Sequence, residues 1–268
     1  MSIALQVALV MVTILVVLLV IGAPIGVAIG MSSAVSMICM IPADVSFATS
    51  AQRIFAGSNS FSLIAIPFFI LAGNIMNNGG IATRLVNCAK VISGRMPGAL
   101  AQSNVVANML FGAISGSGAA AAAAMGGTIG PLEEKEGYDK NYSTAVNVAS
   151  APVGMLIPPS NTMIVYSSVA GSVSIAALFM AGYIPGLLWG GAVMILAGIM
   201  AKKRGYQAEQ RVPVKVALKT FWQAIPSLLL IVIVIGGILG GIFTATEGSA
   251  IAVVYATVLS LIYKAFKI

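Results

Sequence analysis

The chain has 268 residues, 59% of them hydrophobic and only 8% charged, with a mean hydropathy of +1.02. Soluble domains carry about 25% charged residues, so this is not one, and the long uncharged runs are those of an all-α polytopic membrane protein. Histidine is absent and Cys39 and Cys88 stand alone in apolar contexts, which excludes a disulfide framework, His-ligated metal and a Ser-His-Asp triad. The net charge of +7 sits on residues that flank apolar spans, so it suits anionic lipid headgroups rather than nucleic acid.

In chain order, residues 3–22 are predicted to cross the membrane as a retained span, because no Lys or Arg precedes Ile3 and no cleavage site follows. Gly22-Ala23-Pro24 breaks that helix, and residues 25–41 return. The polar stretch 42–60, with Asp44 and Arg53, reads as an interfacial segment. Residues 61–76 form a short apolar helix ending at Asn77-Asn78-Gly79-Gly80. The stretch 81–98 carries Arg84, Lys90 and Arg95 with no acid, as an amphipathic or partly embedded helix does. Residues 99–132 are uncharged and divide around Gly116 into halves of about 24 Å each, short of a hydrocarbon core of about 30 Å. A re-entrant hairpin with its tip at Ser115-Gly116-Ser117-Gly118 fits these halves, and a single long span packed through small residues is the competing reading. After the charged loop Glu133 to Lys140 come a broken helix over 143–169, a span over 175–201 and a basic linker over 202–221. That linker holds Lys202, Lys203, Arg204, Arg211, Lys215 and Lys219 against Glu209. Two further spans, 222–239 and 243–263, are capped by Lys264 and Lys267.

The positive-inside rule places the basic linker in the cytoplasm. Counting back through a hairpin that leaves on its own side puts 133–140 and 77–98 inside, and 42–60 and Met1 outside. The Asn141-Tyr142-Ser143 sequon then lies inside. Sliding the chain by 218 residues aligns Gly22 with Gly240, Ala23 with Gly241, Gly30 with Gly248 and Ala34 with Ala252. The two copies start on opposite sides, which is the pattern of inverted-repeat secondary transporters. Residues 1–201 are then a first repeat and 222–268 the start of a second. A complete second copy would need roughly 150 further residues if the repeats match in length, so either the chain is a fragment or the repeat resemblance does not extend to the second half.

Two polar interruptions lie inside the uncharged blocks. One is Asn104, Asn108 and Ser115 to Gly118; the other is Ile157-Pro158-Pro159-Ser160-Asn161-Thr162. Gly and Pro unwind helices, and the freed backbone survives at that depth only in a protein-lined or wet cavity. Carbonyls with Ser, Thr and Asn oxygens make a hard neutral cage suited to Na⁺, with Ser115, Gly116, Ser117, Pro158, Asn161 and Thr162 as candidate ligands. The positive helix starts after each break suit a carboxylate, with Asn108, Ser117, Gly118, Pro159, Ser160 and Asn161 as candidate contacts. A simple Pro kink and a close helix contact are the bland alternatives. No ionisable residue except Glu247, near an interface, is expected within the membrane, which argues against a proton relay. Gly116-x-Gly118-x-x-Ala121 lacks the strand and βαβ unit of a dinucleotide site, and no P-loop follows.

Four ordered motifs, Phe55–Phe61 with Ile66–Gly73, Phe111–Gly118, Ile157–Thr162 and Phe179–Gly186, resemble the large membrane subunit of tripartite ATP-independent periplasmic (TRAP) transporters. The resemblance implies a sodium-driven elevator-type carrier in the bacterial inner membrane, not an enzyme, with Na⁺ as coupling ion and no other cofactor. It implies a small four-helix membrane subunit and a periplasmic substrate-binding protein as partners. It further implies a carboxylate substrate, such as a C4-dicarboxylate, sialic acid or another sugar acid, held between Ser115–Gly118 and Pro158–Thr162. The stretches Asn74–Asn78 and Pro158–Asn161 lean toward the sialic-acid and sugar-acid branch. A fragment or a scaffold without transport of its own is the alternative.

Overall fold

The computed structural model describes residues 3–171, 173–206 and 213–263. The predicted caps Lys264 and Lys267, and Glu209 and Arg211 of the basic linker, lie outside them. The described residues form fourteen α-helices and one 3₁₀ turn, in two compact units that divide after Ser60.

The first unit holds α1 (Ile3–Val20), α2 (Ile25–Ile38) and α3 (Ala43–Ser58). α1 is apolar on every side and buries none of its residues, as a helix bathed in lipid does. Proline precedes both α2 and α3, at Pro24 and Pro42, where a missing N–H costs nothing. The segment expected at the interface is the continuous helix α3. Ser46 on it is buried and donates to the Ala34 carbonyl at 2.7 Å, while Val45, Phe47, Ile54 and Phe55 are exposed. Of the two cysteines in apolar contexts, Cys39 is exposed and Cys88 is buried.

The second unit opens with a 3₁₀ turn (Phe61–Ile64) and α4 (Ala65–Asn78), followed by α5 (Ile81–Ser93). α5 is the predicted amphipathic helix. It buries Ile81, Leu85, Val86, Cys88 and Ala89, while its Arg84 guanidinium lies 3.4 Å above the Tyr263 ring. Next come α6 (Ala99–Ser115), α7 (Gly118–Thr128), α8 (Gly130–Lys135), α9 (Lys140–Ser150), α10 (Val153–Leu156) and α11 (Asn161–Ala170). The long α12 (Ile175–Arg204), α13 (Val214–Leu239) and α14 (Ala245–Ile262) complete the unit. α6 is its axis: 14 of its 17 residues are buried, with α5, α7, α9, α10 and α12 packed around it. α14 lies against α4 and α13 against α5.

Among the described residues five helices are long and apolar enough to cross a membrane: α1, the 3₁₀ turn with α4, α12, α13 and α14. The pair Lys140–Leu156 and Asn161–Ala170, bent by 48°, would be a sixth. The basic linker is shorter than expected. α12 carries Lys202, Lys203 and Arg204 in its last turn, where cations offset the helix dipole, and α13 starts at Val214 and takes up Lys215 and Lys219. The helix pairs aligned by the 218-residue slide share a break with a left-handed glycine. These are Gly22 at φ 86° and Gly241 at φ 68°, one residue out of the aligned register.

Candidate functional site

α6 ends because Gly116 takes a left-handed conformation, φ 62°, which costs a glycine nothing. Ser117 then turns extended and caps α7, its hydroxyl accepting from the Ala120 N–H at 3.3 Å. α7 runs back beside α6. Asn104 and Gly126 line one cavity, whereas a straight helix would separate them by about 33 Å. The chain therefore makes the expected hairpin in preference to one long span. Its return arm is shorter than expected, because α7 stops at Thr128 and α8 takes up Gly130 to Lys135.

The second interruption breaks α10 from α11 over Ile157 to Ser160, and Ser160 caps α11 as Ser117 caps α7. The Ser160 hydroxyl accepts from the Met163 N–H at 3.4 Å and donates to the Met155 carbonyl at 2.5 Å, tying the two sides of the break together. Ser160→Ala should lower stability by about 1 kcal/mol, the usual value of a lost cap. Thermal unfolding of the purified chain in detergent checks this, with Thr162→Ala as the exposed comparison.

The hairpin tip docks into the break. The Asn161 N–H donates to the Gly116 carbonyl at 3.2 Å and its Nδ2 to the Ser115 carbonyl at 3.5 Å. A Cβ on Gly116 would sit 3.0 Å from the Pro159 carbonyl oxygen and 3.1 Å from the Asn161 nitrogen, so close approach as well as positive φ requires glycine there. One turn back, Gly112 and Gly154 meet backbone to backbone. The structure thus brings Ser115, Gly116 and Ser117 together with Pro159 and Asn161. Gly118 packs against Ala151 and Met155, and Pro158 and Ser160 are buried in the break. Thr162, next to Asn161, is exposed. Asn108 lies two turns down α6, where its Nδ2 faces Asn104 Oδ1 (2.8 Å), Asn147 Oδ1 (2.9 Å) and Ser150 Oγ (2.8 Å).

Chemically, the tip offers two kinds of group. The starts of α7 and α11 meet at the tip with partial positive charge, which suits an anion. For a cation it offers Asn161 Oδ1, buried without a hydrogen-bond partner, and the second lone pairs of the Ser115 and Gly116 carbonyls. The Ser117 and Ser160 hydroxyls are largely spent on capping.

At the base of the hairpin, α9 is fastened to α12. Asp139 bonds Arg204 at 3.0 Å, the Tyr142 hydroxyl donates to the Ala197 carbonyl at 2.8 Å, and the Tyr138 and Tyr206 rings stack at 4.2 Å. Here the structure buries an acid that the sequence places in a charged loop. Glu133 is 1% exposed and lines a cavity of about 360 Å³ with Asn104, Gly126, Ser143 and Asn147. Loss of hydration pushes its carboxyl up to about 7, and the negative charge of Glu136 adds to this. Ser143 and Asn104 lean toward it and pull the other way. Neither makes a hydrogen bond of ordinary geometry to it, so burial wins. A signal for this is present in the chain: Pro131 marks a helix start, and Glu133 follows the buried Ile129 by four residues, on the same face. Glu247, the acid expected near an interface, is exposed and completes a capping box with Thr244.

Residues 12–268 match the family described as tripartite ATP-independent periplasmic transporter, DctM component. An uncharacterized Salmonella typhimurium protein, YgiK, is 54% identical over 233 residues, 87% of this chain and 54% of its own length. The sialic acid TRAP transporter large permease protein SiaM of Vibrio cholerae is 40% identical over 80% of this chain and 50% of its own. The C4-dicarboxylate TRAP transporter large permease protein DctM of Rhodobacter capsulatus is 38% identical over 81% of this chain and 52% of its own. The chain spans about half the length of the curated relatives it matches.

Proposed function

The chain belongs to the DctM component family of tripartite ATP-independent periplasmic transporters, multi-pass inner-membrane permeases, and from that premise we propose that it carries a carboxylate across the membrane in symport with Na⁺. The observation that carries this reading is the docking of the hairpin tip on the helix break, with Asn161 bonded to the carbonyls of Ser115 and Gly116. Two helix starts meet there to receive the carboxylate, and carbonyl and amide oxygens lie beside them for the cation. In this proposal the hairpin and the broken helix move as one body past a scaffold, in the manner of an elevator. A small four-helix membrane subunit extends that scaffold, and a periplasmic binding protein delivers the substrate. The names of the relatives support a C4-dicarboxylate or a sugar acid such as sialic acid as the substrate class.

The test is uptake of a labelled carboxylate into proteoliposomes holding this chain, its small subunit and its binding protein. Uptake is expected to require an inward Na⁺ gradient and to ignore ATP. Asn161→Ala should raise the half-saturating Na⁺ or substrate concentration about tenfold, the scale of one bond to a charged ligand, and Ser117→Ala should raise it too. Uptake that survives collapse of the Na⁺ gradient would refute the coupling. Unchanged uptake in both variants would return the two motifs to ordinary packing. No uptake under any gradient would favour a fragment or scaffold.

A further inference from the structure

Among the described residues Glu133 is the one buried acid, and neither of its oxygens has a hydrogen-bond partner. Two buried polar atoms beside it are also unpartnered, Asn104 Nδ2 and Ser143 Oγ, and so is Asn108 Oδ1 one turn further along α6. A buried carboxylate without a counter-ion is costly, so such a group captures a cation or gives up its charge. The charged and ionisable groups nearby do not neutralise it. The packed helices α6 and α7 contribute none. α9 contributes Lys140, exposed where it lines the cavity, and Tyr142. The connecting segment contributes Glu134, Lys135, Glu136, Tyr138 and Asp139, and Asp139 is engaged with Arg204. One carboxylate among neutral amides and hydroxyls falls short of the ligand charge that holds a divalent ion. The smallest cation meets the need, and the cavity of about 360 Å³ that Glu133 lines brings water to the neighbourhood of its buried carboxyl.

We propose that Glu133 is a proton-binding site, at which water in this cavity delivers a proton to a carboxylate oxygen and withdraws it again, and whose charge resets the Asn104–Asn108–Asn147 hydrogen bonds along the hairpin. The ionised carboxylate can only accept, so it draws the Asn104 amide and Ser143 hydroxyl toward itself. The protonated acid can donate instead, to Ser143 Oγ, which releases the Asn104 amide. Asn104 Oδ1 accepts from Asn108 at 2.8 Å, Asn108 meets Asn147 at 2.9 Å, and Asn147 donates to the Ala122 carbonyl of α7 at 2.9 Å. A change at Glu133 therefore reaches both arms of the hairpin without passing through its tip. No bond other than the O–H forms or breaks. The proposal needs neither Na⁺ nor a carboxylate at the tip, so it stands or falls apart from the transport reading.

The experiment uses the whole chain in lipid nanodiscs, free of substrate and Na⁺. Infrared difference spectra between pH 5 and 9 should show a protonated-carboxyl band that titrates with a midpoint near 7. The band should persist in Glu134→Gln and vanish in Glu133→Gln. Hydrogen exchange, corrected for intrinsic rates, should show α7 and α9 protection changing at least threefold between pH 6 and pH 8 in the native chain. It should not change in Glu133→Gln, or in Glu133→Met if the amide variant fails to fold. A carboxyl that stays ionised down to pH 5 would overturn the proposal. So would hydrogen exchange that changes equally with pH in native and variant chains.

Discussion

Gly112→Val should unfold the hairpin from its seat, with a loss of about 3 kcal/mol, at the top of the usual range for overpacking. A Cβ on Gly112 falls on the Gly154 Cα, and a Cβ on Gly154 falls 2.5 Å from the Gly112 Cα. Both obstacles are backbone, so no rotamer change relieves them, and α6 must part from α10. The Asn161 bond to the Gly116 carbonyl then lengthens, because the tip rides on the end of α6. A fall in melting temperature of roughly 6–12 °C is the corresponding readout for a chain of this size. Gly127→Ala is the control, since a Cβ there meets nothing within 4 Å and alanine favours helix. A Gly112→Val chain that melted with the native protein would show that the two backbones are not in contact.

Glu133→Gln should make the protein more stable at high pH and leave it unchanged at low pH. The sign follows from the raised carboxyl. Below about pH 4.5 the group is protonated in both the folded and the unfolded chain and contributes no difference. As the pH rises toward 7 the unfolded chain releases the proton while the folded one retains it, so native stability falls. Above 7 the loss is complete. Each tenfold difference in proton affinity between the two states is worth about 1.4 kcal/mol, so the loss reaches at most about 3 kcal/mol. The glutamine has no proton to release and escapes the whole loss. Melting curves of the two proteins should therefore coincide near pH 4 and separate across pH 5–7, with the variant the higher. Parallel curves from pH 4 to pH 9 would show that Glu133 reaches solvent freely.

The breaks are legible in the sequence because their causes are local. Glycine at a left-handed position, proline pairs and serine caps act within a turn of themselves, so residue type alone locates the tip at Ser115–Gly118 and the break at Pro158–Ser160. The partnership of the two segments follows in the sequence only from their shared depth, and the Asn161 bonds to Ser115 and Gly116 join residues distant along the chain. What stays hidden depends on direction. Asn108 shares α6 with the tip and so reads as part of it, but its amide turns toward Asn147 and Ser150, which lie on α9. Glu133 stands among Glu134, Lys135 and Glu136, and its four-residue spacing from Ile129 past the helix start at Pro131 is the local hint that it turns inward. The basic linker reads as overlong for a related reason: lysines close a helix such as α12 or begin one such as α13 as readily as they fill a loop.

The docking of tip on break also sets two like electrical poles side by side. Each helix start carries roughly half a unit of positive charge, so the two push apart against the Asn161 bonds that lace them. An anion lodged there reverses the sign of that force. On the proposed reading such an anion would act as mortar, so the tip and the break would be more rigidly joined with a ligand between them than without one.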